Sequence, residues 1–240
     1  MIKITSACGG DVIKFAGDAL IVLWTGGPCS VLAHRACECA LELQDVLHDS
    51  PMTPTIRLSL KVGVGLGPAT MFYVGGHEGR CEYFASGAAL RECFDACDLA
   101  ASGDVIISTA ILDEVRDVSC GEPMPRGFFS LLSMAKTFRK RSVNRIARPA
   151  AVLSPDALES LRSYTAPVLL SAQRLEGSLS EQSVRGWTVS VVQASVLFVN
   201  LGIGSFMDAS DLDCNKIHTA VVTVQRIVAK LQGCIHRFTV

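Results

Sequence analysis

The sequence predicts a mixed α+β chain in which antiparallel hairpins alternate with helices, and three observations carry that expectation. Two apolar runs rich in β-branched and aromatic residues, Val12 to Ala16 and Ala19 to Trp24, flank Gly17-Asp18. That spacing closes a β-hairpin. Between Cys29 and His48 the apolar residues Val31, Leu32, Ala36, Cys39, Ala40, Leu43, Val46 and Leu47 recur at a helical period. From Ile56 to Leu66 the pattern turns to the alternation of a half-buried strand.

The remaining elements follow in order. Pro51 and Pro54 end the long helix, and Ala69 to Gly75 reads as the hairpin partner of the Ile56 strand through a Gly67-Pro68 turn. Cys81 to Ala85 is the next strand, Ala88 to Ala101 a helix, Val105 to Ser108 a strand and Ala110 to Val115 a short helix. From Glu122 to Pro149 the periodicity breaks. Four of the six residues from Lys136 to Arg141 are basic, which suits a solvated loop or a contact with phosphate. Pro155 to Gln173 reads as one or two linking helices.

With 240 residues and 49% hydrophobic content, the chain can bury the cores of one or two domains. A formal net charge of −1 provides no global field for nucleic acid or an anionic membrane, so an anionic ligand must be held by local groups. The ten cysteines include Cys37-x-Cys39 and Cys93-x₃-Cys97 but no paired Cys-x-x-Cys with spaced histidines, which argues against zinc and for a reducing, cytoplasmic setting. Residues Met1 to Gly10 hold no apolar core of signal-peptide length. The longest apolar stretch, Val189 to Ile203, is interrupted by polar residues and is too short for a transmembrane segment.

Asp18 is the candidate for chemistry. A carboxylate at a hairpin tip is exposed and backed by a sheet, a placement that suits a hard cation such as Mg²⁺. The same residue also serves as an ordinary turn former.

Five segments in order carry a family resemblance. Lys14-Phe15-Ala16-Gly17-Asp18-Ala19-Leu20 resembles the second metal-binding segment of the class III nucleotidyl cyclases, most of all the soluble, bicarbonate-responsive adenylyl cyclases. Leu60 to Ala69, Tyr83 to Gly87 and Gly103 to Ser108 resemble later strands of that domain. Val196 to Leu201 resembles the opening strand of a second one. A short repeat points the same way, since Gly10 to Ala16 and Gly233 to Thr239 share a glycine, an apolar residue, a basic residue and a phenylalanine.

The resemblance implies two partial ferredoxin-like cyclase domains in pseudo-twofold arrangement. The first would span 1–150, lacking an opening strand that would precede Met1; a linker would span 151–187, and the start of the second domain 188–240. It implies conversion of ATP to 3′,5′-cyclic AMP and pyrophosphate with Mg²⁺ or Mn²⁺, with Asp18 as a metal ligand, Arg237 at the nucleotide base and Lys14 as the candidate for a regulatory anion site. Arg237 stands where the family has a lysine, and arginine changes the geometry of base recognition. Phe94 stands where the bicarbonate site has an arginine, Asn200 where a second-domain strand would carry an aspartate, and Arg91 and Asp95 do not match the transition-state pair. A catalytically inactive cyclase-homology module that binds nucleotide or a partner protein therefore stands beside the enzyme reading.

Overall fold

The computed structural model describes residues 1–135, 154–165, 195–199, 214–233 and 235. They fall into two compact units, Met1–Thr70 with Ser86–Ala150 and Met71–Ala85 with Ala151–Val240. The architecture is mixed α+β.

The first unit opens with α1 (Ile2–Ala7), followed by the hairpin β1 (Asp11–Ala16) and β2 (Ala19–Leu23) and by α2 (Cys29–Leu47). Its main sheet has the order β3-β6-β8-β7, from β3 (Val62–Val64), β6 (Val105–Ile107), β7 (Ser119–Pro123) and β8 (Phe129–Met134). β3 runs parallel to β6, whereas β8 runs antiparallel to β6 and to β7. Helices α3 (Ala88–Leu99) and α4 (Thr109–Val115) complete the unit.

The core follows from the sequence. The all-apolar β6 has both faces covered, and Ile106 and Ile107 are fully buried, as expected of a central strand. Ile107 joins Ala33, Cys37 and Ala40 of α2, Ile111 and Val115 of α4 and Val64 of β3 in one apolar cluster. Ser108 caps α4 by accepting from the Ile111 amide at 3.4 Å. From α2, Gln44 donates through Nε2 to the carbonyls of Leu60 at 3.1 Å and Asp104 at 2.9 Å, satisfying backbone that leads into β3 and β6.

Gly63 of β3 and Gly65 just after it are required by packing. A Cβ on Gly63 would lie 2.3 Å from the Cys93 carbonyl oxygen, and one on Gly65 would lie 2.4 Å from that of Ala89. β3 therefore lies directly against the backbone of α3, and the Cys93 thiol donates to the Gly63 carbonyl at 3.3 Å.

In the second unit, β4 (Thr70–Gly75) pairs with β5 (Cys81–Ser86). Phe72 and Phe84 stack with ring centroids 4.8 Å apart and pack with Ile217 and Val221 of α6 (Cys214–Lys230). Gln225, also on α6, fastens the hairpin turn: its Nε2 donates to the Arg80 carbonyl at 2.9 Å, and its Oε1 accepts from the His77 amide at 3.2 Å. The end of α5 (Pro155–Arg162) is tied to β5 where the Cys81 amide donates to the Ser163 carbonyl at 2.8 Å.

Three expectations need correction. β4 does not form a hairpin with the Ile56 strand. That strand shortens to Val62–Val64 and takes β6 as its parallel partner, while β4 turns back on β5; alternation gives a strand its faces and leaves its partner open. The stretch from Glu122, where the periodicity breaks, holds the end of β7 and all of β8, hidden in the sequence by Pro123 at a strand end and by a turn with Arg126 at φ 60°. Ser195 to Val199 forms no strand among the described residues, and Val196, Leu197 and Phe198 are exposed. The 136–141 basic run and Asn200 lie outside the described residues.

Candidate functional site

The site is built on the β1–β2 hairpin. Its register pairs Lys14 with Ile21, Phe15 with Leu20 and Ala16 with Ala19, which leaves a two-residue turn of Gly17 and Asp18. Gly17 has φ 69° while Asp18 has no positive φ, the pattern of a type II′ turn with glycine at its first central position. A Cβ on Gly17 would meet nothing within 4 Å. Glycine is needed there for its dihedral and not for space.

The reversal is therefore made by Gly17, and the Asp18 carboxylate is left for other work. Asp18 is exposed, and among the described residues no hydrogen bond or ion pair holds its side chain. An aspartate serving only as a turn former would bond a backbone amide nearby.

The base of the hairpin is anchored where the tip is open. Trp24 Nε1 donates to the Cys8 carbonyl at 3.0 Å, and its ring packs against the main core cluster. A Cβ on Gly10 would come within 2.7 Å of both Trp24 Cζ2 and Val22 Cγ1, so the chain enters β1 directly beneath the indole. The sequence signal for this anchor was Gly10 just before one strand and Trp24 just after the other; the expectation above counted Trp24 in its apolar run and Gly10 only in the short repeat. A bulge between Val12 and Lys14 interrupts β1 between anchor and tip.

Of the other candidates, Lys14 lies half-buried on β1, two cross-strand pairs back from the turn. Phe15 beside it is 46% exposed and pairs across the hairpin with Leu20. Arg237 lies outside the described residues. Phe94 is exposed on α3, with Asp95 exposed beside it and Arg91 half-buried.

Whether these residues fit a metal ion is decided by the donor set. Among the described residues no three His, Cys, Asp or Glu side chains gather to hold one. Asp18 is a single carboxylate, and a two-metal site needs at least two. The described residues alone do not complete a metal centre.

No family model matches the chain. It is 24% identical over 253 residues to adenylate cyclase type 10 of Rattus norvegicus, and equally to that of Homo sapiens, an alignment that covers 95% of the chain and 15% of each relative. The chain thus spans about 15% of the length of the curated relatives it matches. Among solved structures it is similar to the guanylate cyclase domain of RhGC from Catenaria anguillulae in complex with GTP (TM-score 0.48, 16% identity, 55% of this chain and 78% of that one). It is also similar to the adenylyl cyclase CyaB from P. aeruginosa (TM-score 0.47, 18% identity, 56% of this chain and 78% of that one). Among the described residues no helix is long and apolar enough to cross a membrane.

Proposed function

We propose that this chain is a portion of an adenylate cyclase, a lyase that converts ATP to 3′,5′-cyclic AMP and pyrophosphate where two cyclase domains meet. The observation that supports this most is Asp18, exposed and unpaired at a tip whose reversal Gly17 provides, within a chain similar over 95% of its length to adenylate cyclase type 10. In the reaction the ribose 3′ oxygen attacks the α-phosphorus and pyrophosphate leaves. Asp18 would be one ligand of Mg²⁺ or Mn²⁺, the remaining ligands lying outside the described residues. Residues 1–150 would be the first domain, 151–187 the linker and 188–240 the start of the second. Packing of β4 and β5 on α6 supports two partial copies that meet within one chain.

Arg237 would face the base and Lys14 would belong to a regulatory anion site. The exposed Phe94 favours a second reading, a cyclase-homology module that binds nucleotide or a partner without turnover, because it replaces a cation of the family's anion site with a ring. Both readings suit a cytoplasmic protein.

The purified 240-residue chain is expected to form no cyclic nucleotide above background, measured by mass spectrometry of the products; robust turnover would overturn the incomplete-site reading. In the longer protein that carries this chain, Asp18→Ala is expected to lower cyclic AMP formation by about 10²-fold or more. A longer protein that binds ATP and never turns it over would establish the module instead. Arg237→Ala is expected to raise KM for ATP and to shift the ATP-to-GTP preference by about 1 to 3 kcal/mol; unchanged kinetics with both nucleotides would remove Arg237 from the site.

A further inference from the structure

Helix α2 ends at a junction where three stretches of chain share the backbone of one residue, Leu60. The Leu60 carbonyl accepts from Gln44 Nε2 at 3.1 Å and from the Gly103 amide at 2.8 Å, and the Leu60 amide donates to Nδ1 of His48 at 3.2 Å. His48 is the C-cap residue of α2. Its ring lies over the turn before β6, since a Cβ on Gly103 would come 3.2 Å from His48 Nε2. Both backbone polar groups of Leu60 are thereby held, and one of the holders is an imidazole, the side chain that changes its proton count near neutral pH.

Nδ1 accepts a hydrogen bond only while the ring is neutral, and the neutral ring then carries its proton on Nε2. An imidazolium donates from both nitrogens and has no acceptor, so the Leu60 amide would face another N–H. One turn back on the same face of α2, Gln44 offers what the charged ring needs. Its Oε1 is buried and has no hydrogen-bond partner among the described residues, and a side chain at a helix end leans back toward the preceding turn. The two protonation states thus have different partners within one junction.

The charged groups on the elements that meet here are few. On the end of α2 stand Asp45, which is exposed, and Asp49, whose carboxylate is held by Arg57 at 2.5 and 2.9 Å. Lys61, on the chain entering β3, is exposed, and Asp104 before β6 accepts from the Ala101 amide at 2.9 Å. The carboxylates and the terminal carbonyls of α2 favour a charged ring, whereas the cation Lys61 and the direct contact with the Leu60 amide favour a neutral one. These pulls oppose each other, so neither state is locked out.

We propose that His48 is a proton-operated latch at the root of the 49–60 loop: neutral, it holds the Leu60 amide; protonated, it turns to Gln44 Oε1 and lets that amide go. The loop it secures is closed by the Asp49 amide on the Leu58 carbonyl and the Leu58 amide on the Ser50 carbonyl, both at 2.8 Å, and it carries the exposed Met52 and Ile56. Its root loosens as pH falls through the range in which imidazoles titrate. The sheet behind it keeps its own bonds, among them that from the Val62 amide to the Asp104 carbonyl at 3.0 Å. The inference does not depend on the proposed reaction.

The test follows the purified 240-residue chain, labelled with nitrogen-15, by nuclear magnetic resonance from about pH 7.5 to about pH 5.5, either side of the imidazole range. At the higher pH the His48 ring is expected in the neutral form protonated on Nε2. On acidification the Leu60 amide should lose protection from hydrogen exchange by about fivefold relative to the Val62 amide, the scale of one backbone hydrogen bond; taking the ratio removes the intrinsic pH dependence of exchange. His48→Asn, which sets an amide oxygen near the position of Nδ1 and does not titrate, should hold that ratio constant. A ratio that stays fixed in the unaltered chain would overturn the proposal without any variant, as would a neutral ring protonated on Nδ1 or an equal fall of the ratio in folded His48→Asn.

Discussion

The β3–α3 contact and the β1–β2 hairpin both depend on glycine, for opposite reasons. At Gly63 and Gly65 the backbone of a helix occupies the space a side chain would need, whereas at Gly17 the space is empty and only the dihedral matters. Close contact of that kind fixes the frame of the fold. Empty space around a sharply turned tip lets a carboxylate project from that frame without being consumed by it, so stability and function reside in different residues of the same unit.

The largest effect is expected in the frame. Gly65→Val would push a branched side chain into the Ala89 carbonyl and the Cys93 amide, 2.4 and 2.5 Å from its Cβ, and neither is free to move without shifting α3. A loss of about 3 kcal/mol or more, or failure to fold, is expected in urea denaturation followed by circular dichroism. A stable, folded Gly65→Val protein would show that β3 and α3 are not in direct backbone contact. Next comes Ile107→Ala, which removes a fully buried side chain from the centre of the main cluster. The expected cost is about 3 kcal/mol, within the range for buried aliphatic truncation. A cost below about 1 kcal/mol would mean the cluster collapses around the gap.

How much was legible in the sequence follows the same division. The hairpin, α2 and α3 were readable because Gly17-Asp18 and the helical periodicity are local signals. The partner of β4 was not, because alternation is identical whether a strand pairs forward or back. Nor was α6 singled out. It lays Ile217, Val221 and Gln225 at i, i+4 and i+8 on one face, with Gln225 buried, and a glutamine in an apolar stripe reads as surface until its two hydrogen bonds to the hairpin are seen. Of the site, the tip was legible from turn chemistry and its Trp24 anchor was not.

A smaller effect is expected at the tip itself. Gly17→Ala forces a Cβ into the left-handed region, at a cost of about 1 kcal/mol, even though the new methyl group meets nothing. The denaturation midpoint should fall slightly. If the midpoint is unmoved, the turn is not held in the conformation described.

The smallest change in stability is expected for Asp18→Asn, and it separates tip from frame most sharply. The side chain is exposed, adopts no positive φ and bonds to nothing among the described residues, so removing its charge should leave stability within about 0.5 kcal/mol. A residue conserved in size but stripped of charge cannot serve a hard cation as a carboxylate does, so titration of the longer protein with Mn²⁺ should show weakened binding while the denaturation curve is unmoved. Should Asp18→Asn instead destabilise the chain as much as Gly17→Ala, the carboxylate is part of the turn, and the separation of a supporting frame from a working tip fails at the residue on which it depends most.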